Sequence, residues 1–124
     1  MRAADRKRLV LEHGVTWENL LPVEAPGLRF MEIRYGPGAH SGEQMLRHPG
    51  RDLFLVLEGR LTFRVGFAEH VLDPGDSISF ADFQPHQVRN DGRVEGVAVL
   101  CVVGDDQRHG PGAEQLLDSP GPAD

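Results

Sequence analysis

Between Val15 and Val103 the chain alternates short apolar runs with turn residues, at intervals too short for helices. In Arg60-Leu61-Thr62-Phe63-Arg64-Val65 the residues Leu61, Phe63 and Val65 fall on one face and Arg60, Thr62 and Arg64 on the other. That period of two predicts a half-buried antiparallel strand with one wet side. The same reading predicts strands over Thr16–Leu21, Leu28–Tyr35, Glu43–His48, Asp52–Glu58, Arg60–Val65, Glu69–Leu72, Ser77–Phe80, Gln87–Arg89 and Val94–Val103. Pro26-Gly27, Gly36-Pro37-Gly38, Pro49-Gly50, Glu58-Gly59, Asp73-Pro74-Gly75-Asp76 and Asn90-Asp91-Gly92 supply the turns. The expected fold class is all-β, a small antiparallel barrel or jelly roll. No segment of ten or more residues carries a 3.6-residue apolar period, so a helix-turn-helix has nowhere to sit.

Asp52-Leu53-Phe54-Leu55-Val56-Leu57 is apolar on both faces. A barrel interior covers one face only, so Leu53, Leu55 and Leu57 ask for a second layer or a partner. The run from Val94 to Val103 makes the same demand, and a homodimer packed through these outer faces is expected.

A length of 124 residues fits one domain. It divides into a basic N-terminal segment over residues 1–14, a barrel over 15–104 and a Gly-, Pro- and Asp-rich tail over 105–124. A net charge of −6 disfavours a protein built to neutralise phosphates, so no direct nucleic-acid binding is expected and the short Arg-rich start reads as solvated. Leu9, Val10 and Leu11 are too few for a signal-peptide core, and no run approaches the roughly 20 apolar residues of a membrane span. A cytoplasmic protein is expected. The single cysteine, Cys101, excludes an internal disulfide or a multi-thiolate cluster, and its apolar neighbours offer nothing to activate a thiol.

Two of the six histidines stand in contexts that matter. His48 ends a strand and is followed at the fourth position by Asp52 across Pro49-Gly50; His86 follows Pro85 at the start of a later strand. Two histidines and a carboxylate are the ligand types of a facial triad on a divalent ion. On spacing alone, ordinary barrel-mouth histidines with Asp52 capping a turn is the stronger reading. Nucleophile-elbow and Walker-type patterns are absent from the sequence.

The segment from His48 through Asp52-Leu-Phe-Leu-Val-Leu-Glu to Gly59 resembles the first cupin motif. Gly75-Asp-Ser-Ile-Ser-Phe80 through Pro85-His86-Gln-Val-Arg-Asn90 resembles the second. The resemblance runs from Pro37 to about Val103 and is greatest to the cupin domains that follow helix-turn-helix regions in bacterial regulators. It implies a small barrel, often dimeric, with a metal or small ligand inside one open end. The implied metal ligands are His48, Asp52 and His86, for Fe, Mn, Zn, Ni or Co. The match is incomplete: Leu46 stands where the family has its first histidine, and Asp52 replaces a glutamate, reaching about 1.5 Å less far. Ala81 and Phe83 stand where proline and glycine are common.

Strand parity selects the remaining candidates. If His48, Asp52 and His86 point inward, Gln44, Leu46, Phe54, Val56 and Val88 do too, giving a mostly apolar pocket with few polar groups. Gln44 is assigned to substrate hydrogen bonding rather than coordination. His40 reads as a solvated loop histidine, and His13, His70 and His109 receive no role. Three functions follow: a barrel binding a small organic molecule, with or without a metal; a non-haem Fe(II)-type oxygenase or isomerase; and the sensor domain of a regulator whose DNA-binding half lies elsewhere.

Overall fold

The computed structural model describes residues 1–42 and 50–104. The expected strand Glu43–His48, with Gln44, Leu46 and His48, lies outside the described residues, as does the 105–124 tail with His109.

Nine strands form among the described residues: β1 (Arg8–Val10), β2 (Val15–Asn19), β3 (Leu28–Tyr35), β4 (Gly50–Glu58), β5 (Leu61–Val65), β6 (Ala68–Leu72), β7 (Ser77–Ala81), β8 (His86–Arg89) and β9 (Gly96–Gly104). They make a six-stranded sheet in the order β1-β2-β3-β9-β4-β7 and a three-stranded sheet in the order β6-β5-β8, every pairing antiparallel. The fold is the all-β jelly-roll barrel that the turn spacing predicts. Residues 39–41 run beside β8, where Asn90 N donates to Ala39 O and Ser41 N to Val88 O, and so tie the two sheets together. Among the described residues no helix is long and apolar enough to cross a membrane.

The inner faces hold the core. Met31, Ile33 and Tyr35 of β3, Phe54 and Val56 of β4, Leu61 and Phe63 of β5, Val88 of β8, and Ala98 and Leu100 of β9 are buried together. Burying such side chains stabilises by roughly 1.5–3 kcal/mol each before the cost of ordering the chain is set against it. Phe54 anchors an aromatic row, edge-on to Phe63 at 5.0 Å and stacked on Phe80 at 6.0 Å.

Within the basic N-terminal segment, residues 8–10 form β1, which pairs with β2 through Leu9↔Trp17. Two expectations are corrected. Thr62 was placed on a wet face, yet it is 5% exposed. It pairs with Arg89 of β8, and its hydroxyl donates to Asp91 Oδ2 at 3.4 Å, so the turn after β8 covers it. Val94 lies outside β9, because its carbonyl accepts from the Asn90 side chain and keeps that stretch in the loop.

Tight turns explain two of the conserved-type motif residues. Gly59 has φ +74°, and a Cβ there would lie 2.5 Å from Glu95 O, so only glycine closes the β4–β5 turn against that backbone. Asn90 is 1% exposed and works as a three-way clamp: its Nδ2 donates to Tyr35 O and Val94 O, and its Oδ1 accepts from Gly92 N.

Leu53, Leu55 and Leu57 lie on the outer face of β4, each about 40% exposed, with Phe30 of β3 and Val103 of β9 exposed on the same side. The face that the sequence marks as needing a cover is open in the single chain.

Candidate functional site

The inner faces enclose a cavity of about 440 Å³. Its walls are mainly apolar: Leu11, Val15, Trp17, Ile33, Tyr35, Phe54, Val88 and Leu100. The polar groups reach it from two sets of elements. Glu12, His13, His40 and Ser41 come from the turn before β2 and the segment after β3, and Asp52 and His86 come from β4 and β8.

Asp52 is in the wall because β4 alternates strictly, with Asp52, Phe54 and Val56 inward and Arg51, Leu53 and Leu55 outward. Its register partner on β7 is Phe80. Two residues on, Asp82 falls on the same inner side, held by its backbone N–H donating to Gly50 O at 3.0 Å. Asp82 is 1% exposed, and neither carboxyl oxygen finds a donor among the described residues. The Asp52 carboxyl is its acidic neighbour, and the charges of the two acids oppose each other. Burial, followed by the hydrogen bond and charge of Asp82, pushes the Asp52 carboxyl up to about 9, while Arg29 pulls weakly the other way.

His86 opens β8 and is 6% exposed. Its Nδ1 lies 2.7 Å from Gln84 O; a carbonyl only accepts, so Nδ1 carries the hydrogen and donates. That leaves Nε2 facing Asp52 Oδ2 at 3.6 Å, with the ring tilted against Phe80 at 4.8 Å. Tyr35 is fully buried in the same wall, and burial together with the Asp52 charge pushes its hydroxyl above the ordinary tyrosine value.

Of the candidate site residues, the structure brings Asp52, His86, Phe54 and Val88 into the wall of one cavity. Val56 points inward but is 0% exposed and packs within the core, outside the cavity wall. His40 is a correction: it is half-buried in the cavity wall, because its N–H donates to His13 O and its ring stacks on His13 at 4.3 Å. His13 is held in a left-handed backbone conformation, φ 63°, which costs a non-glycine residue on the order of 1 kcal/mol. Asp82 was missed, although Phe80 and Asp82 share parity and an inward Phe80 carries Asp82 with it.

As a metal centre, the described residues offer two converging donors. Ligands at about 2.1 Å and right angles on one ion stand about 3 Å apart, so a 3.6 Å gap between His86 Nε2 and Asp52 Oδ2 is near that arrangement. Among the described residues no group of three His, Cys, Asp or Glu is placed to hold an ion.

No curated protein gives a significant sequence match. Similar folds occur widely among solved structures. The cupin domain of an XRE family transcriptional regulator from Enterobacter cloacae aligns with TM-score 0.68 at 21% identity, covering 74% of this chain and 98% of that one. A predicted oxalate decarboxylase from Thermotoga maritima aligns with TM-score 0.72 at 18% identity over 84% of this chain and 97% of that one. A sugar phosphate isomerase of the cupin superfamily from Silicibacter pomeroyi aligns with TM-score 0.70 at 18% identity over 85% and 75%. At these identities the likeness is one of fold. The family model described as Cupin domain matches residues 31–103, more than half of the sequence and all but the first two strands and the start of β3 and the end of β9; the chain belongs to the cupin family.

Proposed function

We propose that the barrel binds a small organic molecule in the cavity between its sheets. The observation that carries this reading is a 440 Å³ space with apolar walls and a buried polar end at Asp52 and His86, the make-up of a small-molecule site. Trp17, the only tryptophan, lines that space, so its emission reports occupancy. A compound panel screened by melting temperature, with Trp17 fluorescence as the second readout, tests the reading. A binder raises the melting temperature and shifts the emission; the absence of any saturable change across chemically diverse compounds overturns it.

The second reading places a divalent ion on His48, Asp52 and His86, supported by the near-ligand spacing of His86 Nε2 and Asp52 Oδ2. Such an ion would supply Lewis-acid or oxygen-activating chemistry beside the cavity. Elemental mass spectrometry of untagged protein and of His48→Ala decides it: one ion per chain, lost in the variant, supports the ion, and no ion after anaerobic reconstitution rejects it. The likeness to the Enterobacter cloacae regulator domain supports a sensory use of the same cavity.

A second copy of the chain is the proposed cover for Leu53, Leu55 and Leu57. Leu55→Arg would place a charge in that face and turn a dimer into a monomer in analytical ultracentrifugation. A wild-type monomer at high concentration rejects the dimer.

A further inference from the structure

The polar end of the cavity is rich in acceptors and poor in donors. Asp82 is a buried carboxyl with two oxygens that no donor reaches among the described residues. Asp52, whose carboxyl feels the Asp82 charge, faces the cavity. His86 spends its Nδ1 hydrogen on Gln84 O, and its Nε2 faces Asp52 Oδ2 at 3.6 Å. A buried carboxyl group without a hydrogen-bonding or cationic partner is expensive. No Lys or Arg is among the described residues of the cavity wall, where Glu12 adds a further carboxylate. Arg29, whose charge reaches Asp52, is exposed and lies over the Trp17 ring at 5.6 Å.

A ligand that brings hydrogen-bond donors and one positive charge answers both deficits. An ammonium group has three N–H donors and no acceptor. Aromatic rings in the adjoining wall, Trp17, Tyr35 and Phe54, favour a cation further through their faces. We propose that Asp52, with Asp82 behind it and His86 beside it, receives the ammonium group of a small organic amine whose apolar part lies along Phe54 and Leu100. The inference deepens the small-molecule reading and rests on it. Asp82 lies outside the cavity wall and itself need not touch the ligand.

Three probes of similar size test this on the full chain in EDTA at pH 7: 2-phenylethylammonium, neutral 2-phenylethanol and anionic 3-phenylpropanoate, by calorimetry and Trp17 emission. The ammonium is expected to bind about tenfold or more tighter than the alcohol, the gain of a charge-assisted hydrogen bond. The isosteric variants Asp52→Asn and Asp82→Asn should each erase the preference for the ammonium over the alcohol. Equal affinity for ammonium and alcohol, or preference for the carboxylate, overturns the amine while the pocket reading stands. If none of the three perturbs Trp17, the amine proposal falls; if the wider compound panel is also silent, the pocket reading falls with it. If Mn²⁺ or Zn²⁺ added without EDTA binds one per chain and the ammonium does not bind at all, the site is a metal centre and the amine is rejected.

Discussion

Asp52→Asn should make the folded protein more stable in mild alkali, although it alters a buried residue. The Asp52 carboxyl has an ordinary value of 3.8 and is pushed up to about 9 by burial and by Asp82. Between those limits the folded protein holds a proton that the unfolded chain has released. Stability therefore falls as pH rises, by up to about 1.4 kcal/mol per pH unit. The contribution is whole below pH 4, where both states are protonated, and is lost by the time pH passes about 9. From pH 5 to pH 8 the loss reaches at most about 4 kcal/mol, a large part of the 5–15 kcal/mol that typically separates folded from unfolded domains. Asparagine carries no charge to desolvate, and its amide can donate to the orphaned Asp82 oxygens. Urea unfolding of wild type and Asp52→Asn in EDTA at pH 5, 6, 7 and 8 measures the difference. The wild-type curve should fall away from the variant's with rising pH, and the variant should be the more stable at pH 8. Parallel curves over that range would refute the buried, proton-holding pair.

Asn90→Ala removes the bonds to Tyr35 O, Val94 O and Gly92 N, and with the Tyr35 carbonyl left buried the cost should be about 2–4 kcal/mol by urea unfolding. Gly59→Ala combines a left-handed φ with a Cβ driven into the Glu95 carbonyl, so a loss of about 2 kcal/mol or more is expected from thermal melts. Glu69→Ala breaks the bidentate pair with Arg89 at 2.8 and 3.1 Å, yet both groups are solvent-accessible and Arg89 keeps Asp91, so the change in stability should stay below about 1 kcal/mol.

The sequence carried the large features of this fold because two-residue alternation and tight turns are local signals. Leu28–Tyr35 is a strand to the residue, and the inward placement of Asp52, Phe54, Val88 and His86 follows from parity. What escaped it was set by distant chain. Thr62 looks solvent-facing within its own strand and is buried only because the turn after β8 folds over it. His40 and His13 look like loop histidines separately, and only the β2–β3 pairing, which brings Gly14 O to Gly36 N, stacks them at the cavity. Asp82 shares the inward parity of Phe80, but it is none of the motif positions that supply candidate ligands. The cavity also draws Leu11, Val15 and Trp17 from residues ahead of the matched family region, where no motif directed attention.

The position of β9 governs how this protein comes into being. It is the last strand among the described residues and lies between β3 and β4, pairing Phe30↔Cys101 on one side and Leu53↔Cys101 on the other. A nascent chain that has left the ribosome only as far as residue 95 holds β3 and β4 with bare facing edges and lacks Leu100 from the cavity wall. Such edges, bordered by Met31, Ile33, Phe54 and Leu55, invite pairing with other unfinished chains. Folding must wait for contacts separated by some 65 residues, as in other slow-folding β proteins. During synthesis the wait is a window of aggregation risk, and a nonsense mutation before Gly96 would yield a chain with no binding chamber and two adhesive margins.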